Sequence, residues 1–298
     1  MKTTRQLGAA VVLAMGVAAM AATAATAILV LQSTWARHGE LTAQHAQAQA
    51  LVQAGVDWAR SVLSDDRRAG NVDHLGEPWA LKLAPMPVDN GELAGHIVDQ
   101  QAAFNVNNLV RDGKIDSTQV THFRRLLALL GLPTALADTL GSWLATDSEP
   151  LKSSAPLNTS TFAVNPALAD IAELALVPGF DDRVRARLRP YVSALPRPTA
   201  VNVNTASPEV LAAVFDGLSL DQARALVAQR ERAYFRDMPD FLNRAPRNLA
   251  LSGEGGSVGS AYFLVTLRAT IGSAEARGFA LLARGEPGWP TVVWRKLL

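Results

Sequence analysis

At 298 residues, 49% of them hydrophobic, the chain exceeds the usual size of one domain and has ample apolar content for a core. Lys and Arg number 28 against 27 Asp and Glu, a formal charge of +1, and so near-neutral a body argues against nonspecific binding to polyanions. The absence of cysteine excludes a disulfide framework, a thiolate metal site and a cysteine nucleophile.

The chain opens with a leader holding Lys2 and Arg5, then runs from Ala9 to Leu31 without one charge. At ~1.5 Å per residue a helix of that run is roughly 34 Å long, enough to cross a hydrocarbon core of about 30 Å. Ala, Gly and Thr dominate Ala9 to Ala27, a composition that suits close packing of one membrane helix on another. The positive residues precede the run, which places the leader in the cytoplasm and everything after Leu31 across the membrane, in a bacterium the periplasm. The rival is a cleaved secretory signal with Ala25-Thr26-Ala27 as its small-residue site. Such a signal usually has an apolar region of about 7–15 residues, shorter than this one.

From Gln32 to about Ser64 the pattern predicts an amphipathic continuation of the helix, with Leu41, Ala48, Leu51, Gly55, Trp58 and Val62 on the apolar face. Gln44, Gln47, Gln49, Gln53, Asp57 and Arg60 mark the solvated face. Asp65-Asp66-Arg67-Arg68-Ala69-Gly70 stops it. Residues 71–111 are punctuated by Pro78, Pro85, Pro87, Asn90 and Gly91 and read as two strands, one of them within Leu93 to Gln101. They close on Phe104-Asn105-Val106-Asn107-Asn108-Leu109, where asparagines suit a turn.

Between Ile115 and Ala245 the texture is helical. Val120, Phe123, Leu126, Leu127 and Leu130 mark one helix ending at Gly131, and Leu136, Leu140, Trp143 and Leu144 a second begun by Pro133. A polar loop spans Asp147 to Thr161, and further helices are expected at 166–177, 182–194, 207–215, 220–233 and 238–244. The period then changes to two, because Phe263, Val265, Leu267, Ala269 and Ile271 alternate with polar residues. Gly272-Ser273 turns this strand, Phe279 to Ala283 returns, and Thr291 to Leu297 can form a last one. A short sheet on each side of a helical block is unstable alone, so one antiparallel sheet built from both ends, packed on the long helix, is the economical solution.

Candidate sites are few. Gly255-Gly256-Ser257-Val258-Gly259 matches the G-x-S-x-G elbow of serine hydrolases, but a loop precedes it and a strand follows, so a flexible Gly/Ser linker is the simpler reading. His38, His45, His74, His96 and His122 lack metal spacing and read as surface residues. Val201-Asn202-Val203-Asn204-Thr205-Ala206-Ser207-Pro208 and the following helices resemble the helix-hairpin-helix modules of DNA-uptake and repair proteins. Their turn, Asp216-Gly217-Leu218-Ser219, has one glycine and an acid where a phosphate would sit, so fold without nucleic-acid binding is expected. A weaker copy is Val177-Pro178-Gly179-Phe180. Asp147 and Glu149, in the loop after Trp143, offer calcium only two carboxylates where it takes about 6–8 oxygens, so they are weak candidates and no metal or cofactor is assigned.

Taken in order, the leader Arg5-Gln6-Leu7-Gly8 followed by Ala9-Ala10-Val11-Val12-Leu13, the Phe104 to Asn107 turn, the Trp143 loop, the Val201 to Pro208 motif and the Tyr262-Phe263 strand resemble the general secretion pathway protein K family, minor pseudopilins of type II secretion systems. The resemblance implies that prepilin peptidase cuts between Gly8 and Ala9, leaving Ala9 as an N-methylated first residue. Most pseudopilins carry glutamate at the fifth mature position, here Leu13, as in this family. It implies minor pseudopilins I and J as partners at a pseudopilus tip, with the major pseudopilin and the inner-membrane assembly platform as further contacts. Calcium bound by some members is doubtful here, since Ser142 and Ala145 stand where aspartates are usual.

The expected protein is therefore a non-enzymatic, single-pass inner-membrane subunit of α+β class, a pilin-like long helix packed on a small antiparallel sheet with an all-α insertion. Its units are a leader at 1–8, a membrane helix at 9–31, the amphipathic continuation at 32–64, an α/β domain at 65–111 and 258–298, and the insertion at 112–257. The rivals are a membrane-tethered DNA-binding protein of the competence type and a periplasmic serine hydrolase.

Overall fold

The structure, a computed structural model, describes residues 4–145, 167–246, 249, 255–285 and 288–298. Asp147 and Glu149 lie outside them. One helix, α1 (Thr4–Ala69), carries the apolar run and the first wall of the core. No proline interrupts it before Pro78, so its backbone ladder is unbroken. It passes the expected stop near Ser64 and ends one residue before Gly70.

The sheet has five strands: β1 (Leu83–Val88), β2 (Gly91–Asp99), β3 (Tyr262–Ile271), β4 (Ala274–Ala283) and β5 (Thr291–Leu297). They pair in that order and every pair is antiparallel. The expectation of one sheet built from both ends of the chain is borne out at the β2–β3 ladder, which sets Gly91 opposite Ile271 and Asp99 opposite Phe263. Pro85 and Pro87 fall on β1, an edge strand, where a missing N–H costs no interior ladder bond. Phe263, Val265, Leu267, Ala269 and Ile271 are all buried, as their alternation requires. Gly272 takes a φ of 54° at the β3–β4 turn, and its N–H donates to Asn90 O at 3.1 Å, which ties the two hairpin turns side by side.

The face of α1 that meets the sheet is rotated from the expected one. Ala48, Val52, Val56, Ala59 and Leu63 are buried with Gly55, whereas Leu41 and Trp58 are about half exposed. Small residues win because the helix lies very close to the strands. A Cβ on Gly55 would stand 2.9 Å from Leu267 Cδ1, and one on Gly278 of β4 would stand 2.2 Å from Val52 Cγ1. The polar flank is used as well as solvated: Gln44 Oε1 accepts from Ser273 N at 3.2 Å, and Arg60 Nε donates to Pro290 O at 2.7 Å.

These contacts give the molecule a direction. α1 first touches the sheet at Gln44 beside the β3–β4 turn, passes Gly278 at Val52, and in its last turn reaches Asp66, which meets Arg284 just beyond β4. The helical block enters and leaves at that last end, between β2 and β3. From Leu31 to Asp66 the helix rises roughly 52 Å, so the block stands far from the apolar run.

Within the block lie α2 (Ser117–Leu129), α3 (Leu136–Ala145), a 3-10 turn (Ile171–Leu176), α4 (Asp182–Leu188), α5 (Pro208–Val214), α6 (Leu220–Arg232) and α7 (Met238–Arg244). The helix expected at 182–194 ends at Leu188: Arg189 still donates to Arg185 O, but Pro190 has no N–H to carry the ladder further. The block also holds short parallel pairings, Phe104–Asn105 with Val192–Ser193 and Val201–Asn202 with Gly256–Ser257. Its core is separate from that of the sheet and is centred on Phe104, Phe123, Leu140, Phe215, Phe235 and Phe241.

Candidate functional site

The two asparagine motifs are one device used twice. In Asn105-Val106-Asn107 the first side chain accepts from Asn107 N at 3.1 Å. In Asn202-Val203-Asn204 it accepts from Asn204 N at 2.9 Å. The second asparagine then clamps a distant peptide. Asn107 donates to Leu168 O and accepts from Leu168 N, both at 2.9 Å, and Asn204 does the same to Phe235 at 2.9 and 2.8 Å. Two residues beyond each clamped position an aspartate, Asp170 or Asp237, caps the next helical turn. The first asparagine of each motif closes a parallel two-residue pairing, and each half has a Gly-Leu turn with positive φ at Gly131 or Gly217. A carboxamide carries a donor and an acceptor on separate atoms and so matches both groups of a peptide, which a carboxylate, having no donor, cannot do.

The second motif also docks the block on the sheet. Asn202 Nδ2 donates to Asp73 O, Asp99 Oδ2 and Ser260 Oγ at 3.1, 3.1 and 2.9 Å. Asp99 is buried and accepts in addition from Thr205 Oγ1 at 2.6 Å, Ser260 Oγ at 2.7 Å and Gln101 N at 2.8 Å. Burial still pushes its carboxyl above the usual range, against those hydrogen bonds. Next to it the buried Arg284 guanidinium bridges Asp66, at 2.6 Å, and Asp73, donates to Ser260 O at 2.8 Å, and lies 4.7 Å from the Phe263 ring centre. The end of α1, the loop after it, the start of β3 and the end of β4 are thereby tied to one positive charge.

Asp66, Asp73 and Glu77 bring three carboxylates within 4.8 Å of one another, a grouping able to attract a cation. Arg284 already supplies the positive charge, and Glu77 accepts from His74 N at 2.8 Å and Trp79 Nε1 at 2.7 Å. Burial and the nearby Glu77 outweigh Arg284 and raise Asp66 to about 6; burial also raises Glu77. This junction was hidden from sequence reasoning, since its members are spread from Asp66 to Arg284 and Asp66 read only as part of a helix stop. The recurring Asn-x-Asn spacing was the one available signal.

The other predicted sites fall as follows. Gly8 and Ala9 lie within α1, and Leu13 is 73% exposed on it. The helix-hairpin-helix turn forms, with Gly217 at φ 81°, but Asp216 pairs with Arg125 of α2 and Arg230 turns inward to Val203 O at 2.7 Å. The Gly/Ser linker expectation is corrected: Gly256–Ser257 is a paired strand, and Ser257 Oγ bonds to both Gly259 O and Gly259 N. A hydroxyl held so, on a strand and not at a strand-to-helix elbow, has no nucleophile geometry. His38 and His45 are exposed, but His122 is not the surface residue expected. It is 1% exposed, neither ring nitrogen has a hydrogen-bond partner, and burial first and Arg125 second depress its pKa.

A long helix whose head is apolar and long enough to cross a membrane, a small antiparallel sheet on its upper half and a helical block at the far end define a pilin-like assembly subunit. Residues 102–197 and 201–256 match the first and second parts of the family described as Type II secretion system (T2SS), protein K. Type II secretion system protein K of Pseudomonas aeruginosa is 35% identical over 270 residues, covering 84% of this chain and 80% of the relative. The protein of the same name from Aeromonas hydrophila is 29% identical, covering 86% of each. A chain in the crystal structure of the GspK-GspI-GspJ complex from the enterotoxigenic Escherichia coli Type 2 Secretion System superposes with a TM-score of 0.71 at 26% identity, covering 88% of this chain and 99% of that one. The chain belongs to the type II secretion system protein K family, the minor pseudopilins named on resemblance above, and neither the DNA-binding nor the hydrolase rival finds support.

Proposed function

We propose that this subunit stands at the outer end of a type II secretion pseudopilus, where it initiates or caps the filament that drives protein export across the outer membrane. The observation that carries this reading is the placement of the helical block at the end of α1 farthest from the apolar run. There it obstructs a further subunit above. The resemblance of the chain to one member of a GspK-GspI-GspJ complex supports minor pseudopilins I and J as partners. The chain is anchored once in the inner membrane with the residues beyond Leu31 in the periplasm, and it works by packing, without catalysis.

Prepilin peptidase cleaves between Gly8 and Ala9, and Ala9 becomes the methylated N-terminus. A glutamate within a membrane helix is costly unless it meets a partner, such as the amino terminus of a neighbouring subunit. Leu13 cannot make that pair, which suits a subunit with nothing above it; the major pseudopilin and the inner-membrane platform lie below.

The fragment from Gln32 onward, mixed with the soluble domains of pseudopilins I and J, is expected to elute from gel filtration as one ternary peak. Three separate peaks at micromolar concentration refute the tip assignment. Gly8→Ala is expected to leave the full-length form in cells carrying prepilin peptidase, and normal processing of that variant refutes the cleavage site.

A further inference from the structure

Between the apolar run and the sheet, α1 has a stretch that no other described residue covers. Every residue from Gln32 to Ala43 is exposed, and Trp35 is 77% exposed, the most of any tryptophan among the described residues. An indole one turn beyond a membrane-length run is unusual in water, but it suits a headgroup layer, where the ring meets apolar chains and its N–H stays wet. The hydroxyls on either side behave as a bilayer demands. Thr23 and Thr26 return their O–H groups to Met20 O and Ala22 O at 2.9 and 2.8 Å, and Ser33 and Thr34 return theirs to Val30 O at 2.8 and 2.9 Å. Arg37, two residues past Trp35, is the first charge after the run.

We propose that Trp35 sits in the lipid headgroup layer on the side of the folded domain and sets how far that domain stands from the bilayer. The proposal rests on the reading of Ala9 to Leu31 as a membrane anchor. Lipid is favoured over a neighbouring helix as the occupant because Trp35 continues the uncharged run, with a free N–H directed to neither backbone nor side chain. From Trp35 to Gln44, the first residue held by the sheet, α1 rises about 14 Å. That is the standoff of the paired hairpin turns from the indole.

The test uses the full chain in vesicles of phosphatidylethanolamine and phosphatidylglycerol containing lipids brominated either near the headgroup or deep in the acyl chains. The nearest other tryptophan along α1, Trp58, lies roughly 34 Å farther up, beyond contact quenching. Tryptophan emission is expected to fall with shallow bromines and less with deep ones, and Trp35→Phe is expected to abolish the loss while both proteins float with the vesicles. Flotation with equal quenching in both proteins, as when a helix covers Trp35, overturns its placement and leaves the anchor standing. Stronger quenching by deep bromines overturns it too. A chain that fails to float refutes the anchor and the proposal together.

Discussion

Two asparagines show how much a single side chain can hold. Asn107 and Asn204 each make a two-point clamp on a buried peptide, so truncation orphans a donor and an acceptor where water does not reach. Asn107→Ala and Asn204→Ala are each expected to cost about 2–6 kcal/mol in urea unfolding, since each of the two orphaned buried groups costs about 1–3 kcal/mol. Aspartate should not rescue either, because it has no N–H to give. The carboxylates at the junction carry a pH signature. Asp66 binds its proton at about 6 in the folded protein and near 3.8 unfolded, so the native state holds more protons between those values. Its contribution to stability therefore grows as pH falls from about 6 towards 4 and is level above. Denaturation of the soluble domain and of Asp66→Asn across this window checks the sign: the difference between them should slope that way, and a flat difference contradicts it.

The elements themselves were largely legible. Strand β3 emerged from its alternation because one face packs on α1, and the seam of one sheet built from both termini followed from the instability of either part alone. The helix face emerged only in part: the sequence pattern puts Ala48 and Gly55 on it together with the large Leu41 and Trp58, whereas contact with the sheet selects small Ala48, Gly55 and Ala59. Close approach is what these small residues provide. Gly278→Ala should therefore be destabilising by about 1–3 kcal/mol as an overpacking change. Adding Val52→Ala should recover part of that loss, read as a double-mutant coupling in thermal or urea unfolding. The junction was illegible because its charges come from four segments that meet only after folding. Arg284→Met leaves two buried carboxylates without their counter-charge and is expected to cost about 3–5 kcal/mol, measured in the soluble fragment.

At the scale of the whole molecule, two large packed cores meet at a polar seam, flanked by a small apolar contact of Leu195 with Tyr262 and Leu281. The helical block closes on its own aromatic centre, the sheet closes on α1, and the polar part of the seam between them includes Asp73, Asp99, Asn202, Ser260 and Arg284. Asp99→Leu is expected to leave helix content nearly unchanged by circular dichroism while making the 201–256 segment more open to limited proteolysis. Unaltered protease resistance argues that the two cores are held together elsewhere. The direction of α1 has a consequence in time as well as in space. A body too bulky to have a neighbour above it cannot be inserted into a standing column; it has to leave the membrane before the others. On the tip reading, the far-end block makes this subunit the earliest to rise, and each later arrival lifts it by entering underneath.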